Sequence, residues 1–380
     1  LYAVTTGGSN TAMGFYANQL LTTGNFNVSI GQQAGRTSVD GGGNVLVGYQ
    51  AGYTNTSGSN NVAIGTTAGY SSTTSNCTYV GHEAGYTNAT GANMTAVGFQ
   101  ALYSSTANNN TAFGLYAGLS TTTGGANTFL GLQSGNNNTT GASNVMVGMQ
   151  AGYNNTTGST NTYMGYAAGY GNGAGTGEGN TAIGFYSQKD KGTSGNYNTS
   201  LGFYALGSDQ NAGFTGTGNT SGGYYSQRFT SSGSYNTTFG YIAGERLTSG
   251  TNNTLIGAEA GTGSAPSGQL TSESNRVCLG NNSVSHLYCK VSTITTSDRR
   301  DKGKFEEIKL GLDFVDKLKP TAFEFKKDGL RDTEKTDGIK RYGFIAQDIL
   351  ELEGDNPVII NNDRPENLMY SQGNLIPILV

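Results

Sequence analysis

Residues 61–69 read NVAIGTTAG, and that phrase, centred on Gly65, returns sixteen times in the first 296 residues, usually 17 residues after the last. The central glycines are Gly14, Gly31, Gly48, Gly65, Gly81, Gly98, Gly114, Gly131, Gly148, Gly165, Gly184, Gly202, Gly223, Gly240, Gly257 and Gly280. A period of that size is the signature of a solenoid, in which each repeat is one supersecondary unit stacked on its neighbours.

Counting from the central Gly, position −3 is Val or Thr in every copy, as in Val28, Val62, Thr11 and Thr254. Position −1 is large and apolar in fifteen copies, such as Ile30, Ile64 and Phe113, with Gly222 the exception. The position between them varies freely: Ala12, Ser29, Tyr79, Phe129, Thr238. This alternation predicts a β-strand whose −3 and −1 positions share the buried face, with −2 outside. Position +3 is only Ala or Ser (Ala34, Ala117, Ser187), which predicts close approach of another backbone. The Gly itself predicts a sharp corner or a left-handed backbone angle.

Position −4 is Asn in thirteen copies, a pattern suited to a ladder of stacked amides holding a tight turn. The segments between are Thr, Ser, Gly and Asn, expected as exposed turns, and no Pro occurs before Pro266. Each unit is therefore expected to be one coil of a parallel β-roll, with two short strands and two turns. Sixteen coils rising about 4.8 Å each make a shaft of about 75 Å. A coil offering about three small or β-branched core residues is thin for a free-standing monomer. An obligate homotrimer, burying the Ala/Ser face between chains, is the expectation.

Sixty-one Gly, 23 Tyr, no Trp and 12% charged residues are unlike a globular enzyme, and the strict period argues against disorder. Charge is partitioned: residues 1–296 hold 7 Lys/Arg and 8 Asp/Glu, the remaining 84 hold 14 and 17, placing a boundary near Thr296. Both parts are slightly negative, so no nucleic-acid partner is expected. No apolar run suits a membrane span and no signal peptide is present, so no membrane insertion is expected. The chain opens at Leu1 and ends in LIPILV, which reads as the start of a truncated apolar helix, so a longer parent polypeptide is expected. Cys77, Cys278 and Cys289 do not make a disulfide framework; Cys278 and Cys289 could pair, and free thiols are the expectation. His82 and His286 read as surface residues, and neither a cofactor nor a metal site is expected.

The phrase at Asn61–Gly65, followed by Ala68-Gly69, resembles the head repeats of trimeric autotransporter adhesins. Those form a left-handed parallel β-roll trimer, usually with a shorter unit, and similar repeats occur in bacteriophage tail fibres. The resemblance spans about residues 1–262; residues 263–296 are the last coil and a connector strand.

From Ser297 the sequence changes. Ser297-Asp298-Arg299-Arg300-x-Lys302, Leu310-Gly-Leu-Asp313, Lys317-Leu318-Lys319-Pro320, Tyr342-Gly-Phe-Ile-Ala-Gln347 and Tyr370…Leu375-Ile-Pro follow in order. Together they resemble the C-terminal intramolecular chaperone domain of phage tail fibres and endosialidase-type tailspikes, over residues 297–380. Its local pattern predicts a helix over 311–318 stopped by Pro320, a strand over 321–326, a strand running into a helix in RYGFIAQDILELE, and the start of a final helix after Met369. The resemblance implies a domain that drives trimerisation of the fibre upstream and then cuts itself off with a Ser–Lys dyad. The roles carry over to Ser297 as nucleophile and Lys302 as general base, five residues apart. The cut is expected at the Ser297–Asp298 bond; attack by the hydroxyl on its own carbonyl needs a strained four-membered ring, so attack on the preceding carbonyl or on a neighbouring chain is easier. Asp301 departs from the family pattern, because a carboxylate beside Lys302 favours the ammonium form. It leaves open a plain solvated charge run in DRRDKGK. At most a single-turnover autoproteolytic peptidase is expected, and no turnover enzyme in the shaft.

Repeat spacing loosens between Gly165 and Gly223, and the insertions at 189–196 and 208–216 carry Phe214, expected to be exposed. Aromatic residues recur at +1 and +2, and Tyr204, Tyr225 and Phe214 are the candidate saccharide-binding residues. The competing account of the aromatic rows is a packed ladder bridging neighbouring chains. Taken together, the sequence points to a mostly β, trimeric phage tail-fibre shaft for host attachment, located on the virion. Its expected partners are other tail proteins and a host cell-surface glycan or protein. The alternatives are a bacterial trimeric surface adhesin and a tailspike depolymerase. The latter needs paired carboxylates in a groove, against only eight scattered Asp/Glu in the roll.

Overall fold

The computed structural model describes residues 3–171, 173–189, 194–207, 213–287, 304, 307–308, 310–326, 334–354, 357–362, 368–371, 375 and 378. The chain forms two compact units, Leu1–Asn281 and Asn282–Val380. In the first, sixteen three-residue strands, from Thr11–Met13 to Val277–Leu279, pair in sequence order into one parallel sheet. The repeats are in register: Val62 lies opposite Val45 and Thr78, and Ile64 opposite Val47 and Val80. This is a parallel β-solenoid with the period read from the sequence.

Each coil holds one strand among the described residues rather than two. The limb after the central Gly is prevented from extending by left-handed residues at +2 and +4, for example Gln33 (φ 60°) and Gly35 (φ 58°). It still bonds from coil to coil, with Gln33 N–H donating to Phe15 O at 2.8 Å and Gly35 N–H to Ala51 O at 2.9 Å. The first fifteen central glycines themselves have φ between 105° and 139°, which side-chain-bearing residues rarely adopt. They also stack: a Cβ at Gly65 would lie 2.5 Å from the carbonyl oxygen of Gly81. Conformation and stacking both restrict the column to Gly.

The strand faces are the reverse of the sequence expectation. The variable −2 position points inward, and −3 and −1 point out: Ala63 is 1% exposed and Ile64 40%. The inward side chains differ widely in size: Tyr79 stacks between Ala63 and Ala96, whereas Phe129, Met146 and Tyr163 follow one another. The Ala/Ser column at +3, expected between chains, is sealed inside a single coil: Ala34, Ala117 and Ser187 are all fully buried.

The Asn column forms the expected ladder. The amide N–H of Asn44 donates to Asn27 Oδ1 at 2.9 Å, and Nδ2 of Asn44 donates to Gly58 O at 2.9 Å. Cys77 and Met94 interrupt it; Cys77 N–H still reaches Asn61 Oδ1 at 2.9 Å, but a thiol now faces Gly91 O at 3.5 Å. Further along, the interior turns polar: Ser187 bonds Ser200 (2.7 Å), Ser226 bonds Thr238 (2.9 Å) and Gln227 bonds Asn219 (3.1 Å), all buried.

In the second unit, Thr321–Phe323 pairs antiparallel with Arg341–Gly343, and Ile360–Asn361 with Met369–Tyr370. The helices are Leu312–Val315 and Ala346–Glu353. Phe314, Ile349, Ile359, Ile360 and Leu375 make the core. The Glu353 carboxylate ties the following turn to its helix by accepting from Val358, Ile359 and Ile360 N–H at 2.8, 2.6 and 2.9 Å. Met369 and Tyr370, expected at the start of a final helix, are strand, and among the described residues helix is reached only at Leu375 and Ile378.

Candidate functional site

Because −1 points out, the solenoid carries a continuous outer ridge of large apolar side chains. Met13, Ile64, Phe113, Leu130, Met164 and Ile256 are each between 40% and 64% exposed. The single gap, Gly222, is filled from the next coil: a Cβ there would overlap the ring of Phe239. Position +1 adds rings. Tyr166, Phe185, Phe203, Tyr224 and Tyr241 form one five-ring stack with centroid spacings of 5.0, 5.0, 5.2 and 5.4 Å and planes within 12° of parallel.

The +2 rings are arranged differently. Tyr204 lies edge-on between Tyr186 (4.9 Å) and Tyr225 (5.6 Å). The Arg228 guanidinium sits 4.1 Å over Tyr225, and the Lys189 ammonium 3.9 Å over Tyr186. The faces of Tyr204 and Tyr225 therefore meet neighbouring rings and cations, an arrangement that favours packing over saccharide stacking. Phe214 is not exposed as expected; it is fully buried, its ring lying against the backbone of Gly195 and Gly216. The insertion folds its one aromatic inward because two Gly leave room for it. It has no face to offer a ligand.

A third aromatic row went unread in the sequence. Tyr53, Tyr70, Tyr86 and Tyr103, at +5, stack at 5.0, 5.1 and 5.1 Å, and Arg36 caps the row by donating to Tyr53 Oη at 2.9 Å. The recurring Ala-Gly-Tyr triplets at 51–53, 68–70 and 84–86 were its signal. Burial, then the neighbouring Tyr53 and Tyr86, pushes the Tyr70 phenol above its ordinary value. Ser297, Asp298 and Lys302 lie outside the described residues, as does Cys289; Cys77 and Cys278 are buried free thiols. No cluster of three or more potential metal ligands occurs among the described residues, and no described helix is long and apolar enough to cross a membrane.

After the solenoid the described elements run short helix, strand, then strand into helix. Residues 297–356 match the chaperone of endosialidase family. The match takes in the Ser297–Lys302 segment, the Leu312–Val315 helix, the Thr321–Phe323 and Arg341–Gly343 pair and the Ala346–Glu353 helix. Neither the curated proteins nor the solved structures contain a match to this chain. The chain thus joins a β-solenoid to a segment that matches the chaperone of endosialidase family.

Proposed function

We propose that this chain is the shaft of a homotrimeric phage tail fibre that carries its own assembly domain and attaches the virion to the host surface. The observation that carries it is the apolar ridge, running from Met13 to Leu279 outside the coil core and lying upstream of the chaperone segment. A contiguous exposed apolar surface of that extent marks an interaction face. Two further copies in the same register cover it.

In-register association of long parallel solenoids is slow, because its contacts are non-local and its edges stay exposed until they form. Joining three chains at their C-termini raises the local concentration and sets the register, which is the role proposed for the chaperone segment. Once assembled, Ser297 and Lys302 cut the chain at or next to Ser297. Sedimentation equilibrium of the full chain tests the assembly: three copies are expected, and a stable folded monomer would remove the proposal.

A further inference from the structure

The five-ring stack at position +1 ends abruptly. In the coil after Tyr241 the equivalent residue is Ala258, so the stack stops there and one face of Tyr241 has no aromatic neighbour among the described residues. Exposure records the change: Phe185, Phe203 and Tyr224 are 41%, 37% and 41% exposed, and Tyr241 is 55%. Polar groups follow in the next coils. Glu259 N–H donates to Tyr241 O at 2.8 Å, which places Glu259 in the coil after Tyr241. Its Oε2 accepts from Asn281 Nδ2 at 2.9 Å, and its Oε1 has no partner among the described residues. Ala258, exposed and small, leaves the floor open.

A ring face without an aromatic cover, followed in the next coils by a carboxylate and amide that orient each other, suits a ligand having one C–H-bearing face and a rim of hydroxyls. We propose that Tyr241, Glu259 and Asn281 form a saccharide subsite. A pyranose stacks on Tyr241 above Ala258, and its hydroxyls donate to Glu259 Oε1 and accept from Asn281. The carboxylate selects neutral sugars, because an acidic sugar brings a like charge against Glu259. The proposal rests on the attachment role above and names its ligand class and one contact point.

The test is saturation-transfer NMR on the full assembled chain, using the methyl glycosides of glucose, galactose and N-acetylglucosamine, with N-acetylneuraminic acid as the acidic comparison. Transfer to at least one neutral glycoside is expected and none to the acid. Tyr241→Ala should weaken binding by on the order of tenfold or more. Ala258→Phe should do the same by completing the stack, and being at an exposed position it should leave the coil intact. Glu259→Gln should keep stacking and relax the exclusion of the acidic sugar. Tyr225→Ala should change nothing. No transfer to any neutral glycoside, or transfer undiminished in both Tyr241→Ala and Ala258→Phe, overturns the proposal. If the chain then still sediments as a trimer and adheres to cells, the subsite alone falls and the attachment role stands.

Discussion

Ala63 and Ile64 are consecutive on one strand and face opposite ways, the small residue sealed in the coil at 1% exposure and the large one on the surface at 40%. The inward column varies in size from coil to coil, from Ala96 and Ala112 in succession to Phe129, Met146 and Tyr163 in succession. The uniformly large column is the one that the proposed assembly covers.

Substituting each in turn separates the two faces. Ala63→Asp should place a carboxylate between Leu46 and Tyr79, which are both buried, and cost several kcal/mol per chain. Ile64→Asp should leave the melting of an isolated coil stack nearly unchanged but weaken association. Thermal unfolding by circular dichroism, paired with sedimentation, reads both. Equal loss of secondary structure from the two variants would mean that the faces are not distinct.

The Gly and Asn columns were legible in the sequence because each obeys a local rule. Gly65 needs a backbone angle and a stacking distance that only Gly meets, and Asn27 needs an amide one coil away. The period gave the parallel register with them. Strand polarity was not legible, because alternation shows that Val62 and Ile64 share a face without showing which face is inside. Phe214 was misplaced for a related reason: an insertion looks exposed in sequence, and the room made for the ring by Gly195 and Gly216 appears only in three dimensions. The opening at Tyr241 depends on what is missing from the next coil, and single-residue patterns do not record it.

The Asn ladder makes a graded prediction. Asn144 accepts from Asn161 N–H at 2.9 Å and donates to Gly158 O at 2.9 Å. Asn144→Ala leaves both groups buried without a partner and should cost about 1–3 kcal/mol for each. Cys77→Asn should do the opposite. It restores a donor toward Gly91 O, now faced by a thiol at 3.5 Å, and should stabilise by about 0.5–1.5 kcal/mol. Denaturant midpoints of the two variants, compared with the parent chain, check both signs; a destabilised Cys77→Asn would show that the break in the ladder is required by packing around Tyr79.

Alkaline stability follows from the buried phenols. Burial pushes Tyr79 and Tyr163 well above the ordinary value of 10.0, with the neighbouring Cys77 adding to the shift at Tyr79. The unfolded chain releases these protons at about pH 10, whereas the folded chain holds them. Stability is therefore untouched below about pH 10 and falls as pH rises from there toward the folded values. Tyrosinate absorbance should show the last tyrosines ionising only as the sheet signal collapses, and Tyr163→Phe should move that collapse to higher pH. A single ionisation step for all 23 tyrosines with the sheet intact would contradict the burial of these two rings.

The last prediction concerns the chaperone segment. If Ser297 and Lys302 act as nucleophile and base, folding assembles the site, so a C-terminal fragment starting at Asp298 or Ser297, with 83 or 84 residues as far as Val380, should appear only after trimers form. Ser297→Ala and Lys302→Ala should each abolish the fragment and leave trimers intact. Lys302→Arg should also fail, because a guanidinium holds its proton near neutral pH. Asp301→Leu should speed the cut, since the adjacent carboxylate favours the ammonium form of Lys302 and a base must be neutral to accept a proton. Intact mass after timed assembly reads all four variants, and a fragment that persists in Ser297→Ala excludes the dyad. Expression without residues 298–380 separates cutting from assembly: aggregated shaft is expected, because the apolar ridge is then left to associate out of register. Soluble trimers from that deletion would make the segment a passive cap, whatever the dyad does.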